Sequence, residues 1–145
     1  MYKHILIATD GSELAAKAVP AGLRLAKALG ARATSINASE PWTAMVGAEG
    51  AAFNFPIDEY EKAAADSAAR IFDEVRKEAS SLGVECNTVH VQNFPAEAII
   101  ETAQTQGCDL IVMASHGRRG IARALLGSQA ARVVTLSSIP VLICR

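Results

Sequence analysis

Short apolar runs alternate with longer amphipathic segments along most of the chain. The runs at 5–8 and 110–113 are continuously apolar, as expected of strands that are buried on both faces. The stretch at 84–91 alternates polar and apolar residues, which is typical of a half-exposed strand. The pattern predicts five strands, at 5–8, 33–38, 84–91, 110–113 and 141–144.

Four segments between these strands have the apolar spacing of helices. In the first of them, Ser12 is a candidate cap. Pro20 lies inside the same segment and predicts a kink, because proline lacks the N–H that an interior turn needs. Glycines after the two longest segments favour termination of the helix there. The predicted helices cover 12–29, 57–82, about 95–103 and 128–136.

Strands that alternate with helices predict a doubly wound α/β fold, a parallel sheet with helices on both faces. The first and fourth strands are the most apolar and belong at the centre of the sheet, whereas the alternating third strand belongs at an edge. The order 3-2-1-4-5 meets both conditions and keeps every crossover right-handed. A chain of 145 residues is expected to form a single domain, 1–145.

The charge is small in sum but uneven along the chain. The net charge is −1, yet all 15 acidic residues precede Leu110, and the segment that follows carries five arginines. A basic C-terminal segment suits an anionic ligand. No aromatic residue lies between those arginines. We therefore expect no nucleic acid as partner, because single-strand binders stack bases on aromatic rings.

The sequence also indicates the cellular compartment in which the protein is expected. No apolar run approaches the roughly 20 residues needed to span a bilayer. The N-terminal segment lacks the layout of a signal peptide. The three cysteines are widely spaced and form no paired motif, which is typical of a reducing environment. We expect a cytoplasmic protein without a membrane partner.

Sheets of this doubly wound type bind their ligands at a characteristic position. Ligands bind outside the carboxyl ends of the two strands between which the chain reverses its winding, here strands 1 and 4. Asp10 follows the first of these strands, and the run 115–117 follows the other. Two separate parts of the sequence therefore meet at one predicted crevice.

Glycines after the fourth strand suggest the chemistry of this crevice. Gly117 and Gly120 permit a turn whose backbone N–H groups point outward, and such groups bind anions. Gly127 allows a close backbone approach, and Ser128 offers a capping hydroxyl at the start of the last helix. Arg118 adds positive charge nearby. Taken alone, these residues fit an ordinary turn and a capped helix equally well.

The spacing of the whole segment is more specific. Residues 114–117, followed after nine residues by Gly127 and Ser128, resemble the nucleotide loop of the universal stress protein family. ATP-binding members of that family carry Gly-x2-Gly-x9-Gly followed by Ser or Thr. Ala114 replaces the first glycine here, and its methyl group either crowds a ribose or is harmless at negative φ. The resemblance extends to 5–12, 95–99 and 139–142.

This resemblance implies a homodimeric stress-response sensor or regulator that binds ATP together with Mg²⁺. Asp10 and the backbone near Ala8 would face the ribose and base, and the backbone of Ala38 would face the adenine edge. Gly117, Gly127 and Ser128 would hold the phosphates. Two subunits would pair through the last strand, at Val141, Leu142 and Ile143. The implied nucleotide site comprises Ala8, Thr9, Asp10, Ala38, Met113, Ala114, Ser115, His116, Gly117, Arg118, Gly120, Gly127, Ser128 and Gln129.

Two other functions stay open. One is a dimeric interaction module that works without nucleotide, with Ala114 marking a lost site. The other is a weak ATPase or self-phosphorylating protein that uses Ser115 or Ser128. A hydrolytic triad is not favoured, because adjacent residues such as Ser115 and His116 rarely present their side chains to each other. His4, His90 and His116 have no paired ligand spacing, so no metal centre of protein ligands is expected.

Aromatic residues gather in the loop before the long second helix. We expect this loop to fold onto the end of that helix. A mobile lid or a partner surface is the alternative, since long loops often serve such roles. The aromatic residues are Trp42, Phe53, Phe55 and Tyr60.

Overall fold

The computed structural model describes residues 1–44, 46, 55–116 and 126–145. Helices and strands alternate through these ranges. Among the described helices, none has both the length and the apolar character required to cross a bilayer. The elements are β1 (His4–Ala8), α1 (Ala18–Leu29), β2 (Arg32–Ser39), α2 (Ile57–Leu82), β3 (Cys86–Gln92), α3 (Pro95–Thr105), β4 (Leu110–Ala114), α4 (Ser128–Leu136) and β5 (Val141–Cys144).

The five strands form one parallel sheet in the order β3-β2-β1-β4-β5, which confirms the predicted order. In register, Ile5 of β1 lies opposite Ala33 of β2 and Leu110 of β4. Every residue of β1 and β4 is buried, whereas β3 at the edge is half exposed. The apolar character of a strand therefore correctly indicated its place in the sheet.

Alternate residues of the central strands pack against helices on opposite faces. Ile5 belongs to an apolar cluster with Leu23 of α1 and Val75 of α2. Leu6, the next residue, belongs to a second cluster with Ile99 of α3 and Val133 of α4. Burial of one such side chain contributes about 1.5–3 kcal/mol. The two clusters confirm helices on both faces of the sheet.

The start of the first helix differs from the prediction. The helix begins at Ala18 and not at Ser12. The Ser12 N–H donates to Oδ1 of Asp10 at 2.9 Å, and the Ser12 Oγ accepts from the N–H of Ala15 at 3.1 Å, which opens a short 3₁₀ turn. Pro20 is therefore the third residue of α1, a first-turn position at which proline is tolerated. The sequence analysis placed this proline inside the helix, whereas the structure places it near the helix start.

The other boundaries follow the prediction with small shifts. The long helix α2 ends at Gly83, which has φ 70°, as expected of a helix-terminating glycine. The N–H of Val84 still donates to the carbonyl oxygen of Ala79, at 3.0 Å. Because this bond ties the residue to the helix end, β3 starts at Cys86, two residues later than predicted.

The aromatic loop packs onto the start of α2, as expected. The ring centroids of Trp42 and Phe55 are 6.0 Å apart, and those of Phe55 and Tyr60 are 5.8 Å apart. The hydroxyl of Tyr60 donates to the carbonyl oxygen of Glu40 at 2.6 Å. Phe53 lies outside the described residues. These contacts hold the segment that follows β2 against the start of α2.

Candidate functional site

A cavity of about 780 Å³ opens at the carboxyl ends of the strands, where the winding reverses between β1 and β4. Its wall also includes the first turns of α3 and α4 and one side of α2. Of the predicted site residues, Gly117, Arg118 and Gly120 lie outside the described part of the chain. The others line the cavity: Ala8, Thr9, Asp10, Ala38, Met113, Ala114, Ser115, His116, Gly127, Ser128 and Gln129.

Thr9, the first residue after β1, is held through all of its polar groups. Its N–H donates to the carbonyl oxygen of Ile36 at 3.0 Å. Its carbonyl oxygen accepts from Nδ2 of Asn37 at 2.9 Å, and its Oγ1 accepts from the N–H of Gly11 at 3.3 Å. Thr9 is only 6% exposed. The chain therefore leaves the sheet in one fixed direction.

The Asp10 side chain is oriented by the same turn. Its Oδ1 accepts from the N–H of Ser12 at 2.9 Å, a local turn that aspartate favours. Gly11 between them has φ 77°, in the left-handed region that glycine adopts without strain. The carboxylate is thereby presented at the cavity from a rigid segment.

Gly127 joins the start of α4 to the end of β4. Its N–H donates to the carbonyl oxygen of Ser115 at 2.8 Å. A β-carbon at Gly127 would lie 2.7 Å from that oxygen and 3.3 Å from Cα of His116. Since real β-carbons do not approach a backbone oxygen so closely, only glycine fits here. The close backbone approach at Gly127 is therefore to the chain itself, and its approach to a ligand stays a prediction.

The cap of α4 differs from the prediction. The residue at the cap position is Gly127, with φ −65° and ψ 155°, and no described side chain caps the helix. Ser128 is the first helical residue, so its hydroxyl is not the cap that we expected. The first-turn N–H groups of a helix and the positive end of its dipole favour negative charge. The start of α4 lies at the cavity wall.

Gln129 links the first turns of α3 and α4. Its Oε1 accepts from the N–H of Ala96 at 3.1 Å, which supplies a partner to the start of α3. An ion pair between Arg132 and Glu97 joins the same two helices. The side-chain oxygen of Gln129 is thus engaged in a hydrogen bond between the two helices. Together with the ion pair, this bond fixes the starts of α3 and α4 relative to each other.

Ser115 and His116 form a contact that the sequence analysis did not expect. The Ser115 Oγ lies 3.1 Å from the His116 Nδ1, and the two residues are 5% and 6% exposed. The expectation that adjacent side chains do not meet was wrong, because β4 ends at Ala114 and the alternation of an extended strand ends with it. No described residue bonds to the Nε2 of His116.

The backbone at Ala114 does not require glycine. The residue is the last of β4, opposite Cys144 of β5. No described residue other than glycine has positive φ. Ala114 is 6% exposed and joins the apolar cluster of Ile7 and Val112. The replacement of the family's first glycine is therefore compatible with this backbone.

The end of the cavity at β2 contains residues that the sequence analysis did not select. Ser39, Glu40 and Tyr60 line it together with Ala38. The Oγ of Ser39 lies 2.7 Å from Nε2 of His90. His90 of β3 is half buried, and this burial lowers its pKa.

The comparisons with known proteins decide the family. The model of the universal stress protein family matches residues 1–145. The chain belongs to the universal stress protein family. The universal stress protein YxiE of Bacillus subtilis is 30% identical to it over 148 residues, which cover 100% of both chains.

Solved universal stress proteins have the same fold. The structure of MJ0577, from Methanocaldococcus jannaschii, has a TM-score of 0.82 and 27% identity and covers 99% of this chain and 95% of that one. A universal stress protein solved in complex with cAMP has a TM-score of 0.73 and 29% identity, with 99% and 97% covered. That related protein binds an adenine nucleotide.

Proposed function

We propose that this universal stress protein binds ATP in the cavity between β1 and β4, and that it acts as a homodimeric sensor or regulator in the cytoplasm. One observation carries the proposal. The cavity lies between a rigid turn that presents Asp10 and the start of α4, whose cap residue is Gly127. Its volume of about 780 Å³ is in the range of small-molecule sites.

The start of α4 suits the phosphates of such a ligand. The first-turn N–H groups and the helix dipole attract anions. Ser128 and Gln129 both line the cavity at this point. The approach of Gly127 to Ser115 sets the position of the helix start relative to β4. We therefore assign the phosphates to this wall of the cavity.

The opposite wall suits the nucleoside. Asp10 offers a carboxylate, which is a natural acceptor for ribose hydroxyl groups. Ala38 lines the cavity at the end of β2, and Tyr60 lines it as well, with its hydroxyl bonded to the carbonyl oxygen of Glu40. The related protein that binds cAMP, at 29% identity, supports an adenine nucleotide as the ligand class.

The residues also fit a magnesium ion bound together with the nucleotide. Mg²⁺ in proteins is held by one or two carboxylates and by substrate phosphates. Asp10 and Glu40 are the carboxylates among the described lining residues. No cluster of three or more potential metal ligands occurs in the described ranges, so the phosphates would supply most of the coordination. The ion would neutralise phosphate charge.

The edge of the sheet supports the proposed dimer. β5 is the outer strand next to β4, and an open edge favours pairing with another strand. Leu142 of β5 is 41% exposed, and Val134 and Leu136 of α4 are 48% and 58% exposed. We assign the dimer contact to β5, through Val141, Leu142 and Ile143. Charged substitution of Leu142 should therefore give monomers in sedimentation.

Calorimetry tests the proposed ligand. Titration with ATP in the presence of Mg²⁺ should give saturable binding, which EDTA should weaken. Titrations with AMP and cAMP under the same conditions compare shorter ligands at the same site. Mass spectrometry of the purified and denatured protein should detect co-purified adenine nucleotide. Absence of both heat and nucleotide at millimolar ATP would contradict the proposal and favour a module that works without nucleotide.

The contact of Ser115 with His116 favours one second candidate, a slow self-phosphorylation or ATP hydrolysis. A hydroxyl bonded to an imidazole resembles a nucleophile with its base, and both residues line the cavity. Incubation with ATP should then add the mass of one phosphate to the intact protein, and Ser115→Ala should abolish it. An unchanged mass, together with no release of phosphate, would exclude this candidate.

A further inference from the structure

Asn37 is a buried polar residue in the middle of the sheet region that borders the cavity. It is 6% exposed, and its Nδ2 donates to the carbonyl oxygen of Thr9 at 2.9 Å. A carbonyl oxygen only accepts hydrogen bonds, so the amide orientation of Asn37 is determined by this partner. Both residues line the cavity. Neither the glycine pattern nor the apolar spacing singled out Asn37.

The hydrogen bonds around β2 show which way its peptide groups point. The Thr9 N–H donates to the carbonyl oxygen of Ile36, on the side of β1. The Asn93 N–H donates to the carbonyl oxygen of Ser39, on the side of β3. Because peptide groups alternate between the two sides of a strand, the N–H and carbonyl of Ala38 point toward the β1 side.

A regular parallel pair would use the N–H of Ala38 at this position. It would donate to the carbonyl oxygen of Thr9, the residue that follows β1. The recorded partner of this oxygen is instead the side-chain amide of Asn37. The side chain thus replaces the last bond of the β1–β2 ladder.

We propose that Asn37 is a positioning residue that keeps the N–H of Ala38 available to the bound nucleotide. This inference rests on the proposed function and adds the device by which the base is recognised. The N–H and carbonyl of Ala38 form a donor and an acceptor that point in one direction. The N1 acceptor and the N6 amino donor of adenine complement such a pair.

The same contact also orients Asp10. The Thr9 carbonyl and the Asp10 N–H belong to one planar trans peptide, in which they point in opposite directions. Since Asn37 holds the carbonyl toward β2, the N–H of Asp10 points toward the β4 side of the crevice. Asn37 therefore acts on Ala38 and on Asp10, the two residues that we place at the nucleoside.

Amide hydrogen exchange in the ligand-free protein tests the inference without any nucleotide. The Ala38 amide should exchange quickly in the wild-type protein. In Asn37→Val, which removes the donor and keeps a strand-forming residue, Ala38 should bond to Thr9 and exchange at least about tenfold more slowly. Ser35→Ala is the matched control, because Ser35 is fully buried in the same strand and should not change this rate. A slowly exchanging Ala38 amide in the wild-type protein would overturn the inference.

Binding provides the second measurement, by comparison of ATP with 1-deaza-ATP, which lacks the N1 acceptor. The wild-type protein should bind the analogue about tenfold more weakly, as expected for one lost hydrogen bond. In Asn37→Val this difference should fall below about twofold, because the N–H of Ala38 is no longer offered. Asn37→Asp, nearly the same size but unable to donate as a carboxylate, should behave in the same way if the valine variant does not fold.

The two proposals fail separately. If the wild-type protein binds no ATP, the proposed function is wrong, while the exchange rates still decide the role of Asn37. If ATP binds but the loss with 1-deaza-ATP is equal in the wild-type protein and the variant, Asn37 is only structural and the inference is wrong.

Discussion

The two ends of the central strands both bury polar side chains, but they differ in what lies beside those side chains in the described part of the chain. At the amino end, the Asp109 carboxylate accepts from the N–H groups of Lys3 and His4 at 2.8 and 3.0 Å. The Nε2 of His4 lies 2.8 Å from the Oγ1 of Thr34. These hydrogen bonds tie the start of β1 to β2 and to the residue before β4.

At the carboxyl end, similarly buried residues surround a space. Thr9, Asn37, Ser115 and His116 are each 5–6% exposed, and all four border the cavity of about 780 Å³. His4 and Thr34 at the amino end are buried to a similar degree. The carboxyl end borders the cavity and the start of α4, and these two features indicate a binding site.

The largest expected effect comes from Gly127→Val, which acts on the cavity end alone. A β-carbon here would lie 2.7 Å from the carbonyl oxygen of Ser115, so the start of α4 must move away from β4. We expect ATP affinity to fall by at least about tenfold and the free energy of unfolding to fall by about 1–3 kcal/mol. Calorimetry and urea unfolding measure the two effects.

A substitution at a second glycine, Gly83, is the control that distinguishes loss of ATP binding from a general loss of stability. Gly83 ends α2 with φ 70°, and nothing lies within 4 Å of an added β-carbon. Gly83→Ala should therefore cost about 1 kcal/mol from backbone strain without changing ATP affinity. Sedimentation should show dimers for both variants, since β5 is unchanged. Equal ATP affinity of Gly127→Val and the wild-type protein would show that α4 does not hold the phosphates.

The next largest effect is expected from a substitution at the amino ends of the central strands. Asp109→Asn weakens the acceptor for two backbone N–H groups, and we expect the free energy of unfolding to fall by about 1–2 kcal/mol at neutral pH. ATP affinity should not change, because Asp109 lies at the opposite end of the strands from the cavity. A clear loss of affinity in this variant would contradict the separation of the two ends.

The stabilisation by Asp109 should depend on pH, and the direction of this dependence follows from the pKa of its carboxyl group. Burial opposes ionisation of Asp109, but the N–H donors of Lys3 and His4 outweigh it, so the pKa of this carboxyl lies below its usual value. A lowered pKa in the folded state gives a stabilisation that is complete above the unfolded pKa of about 3.9. It is lost as the pH falls through the folded pKa. Urea unfolding should therefore show a smaller difference between the wild-type protein and Asp109→Asn at pH 3 than at pH 7.

The fold was largely predictable because its signals are local in sequence. The uniform apolar character of β1 and β4 identified the centre of the sheet, and the glycines at the helix ends identified where α1 and α2 stop. The start of α1 was not predictable from apolar spacing. It depends on hydrogen bonds of Asp10 and Ser12, and these delay the helix without altering the pattern of apolar residues.

The site was predictable only in part. Asp10 was predicted because ligands bind where the winding of a doubly wound sheet reverses, and Gly127 was predicted from the glycine spacing. The structure places both residues at the cavity. The bond between Asn37 and Thr9 joins residues that are far apart in sequence, and no local pattern records it. The contact of Ser115 with His116 arises because the chain leaves the extended conformation after β4, and strand alternation predicts the opposite.

The smallest expected effect comes from Ala114→Gly, which restores the first glycine of the family pattern. The sequence left two alternatives: the methyl group crowds a ribose, in which case its removal would tighten ATP binding, or it is harmless. The structure places Ala114 at the end of β4, where it lines the cavity and also joins the apolar cluster. We therefore expect a loss of about 0.5–1 kcal/mol in the free energy of unfolding, as for glycine within a strand, and an ATP affinity within about twofold of the wild-type value. Urea unfolding and calorimetry check the two values, and an affinity increase of fivefold or more would show that the methyl group contacts the nucleotide.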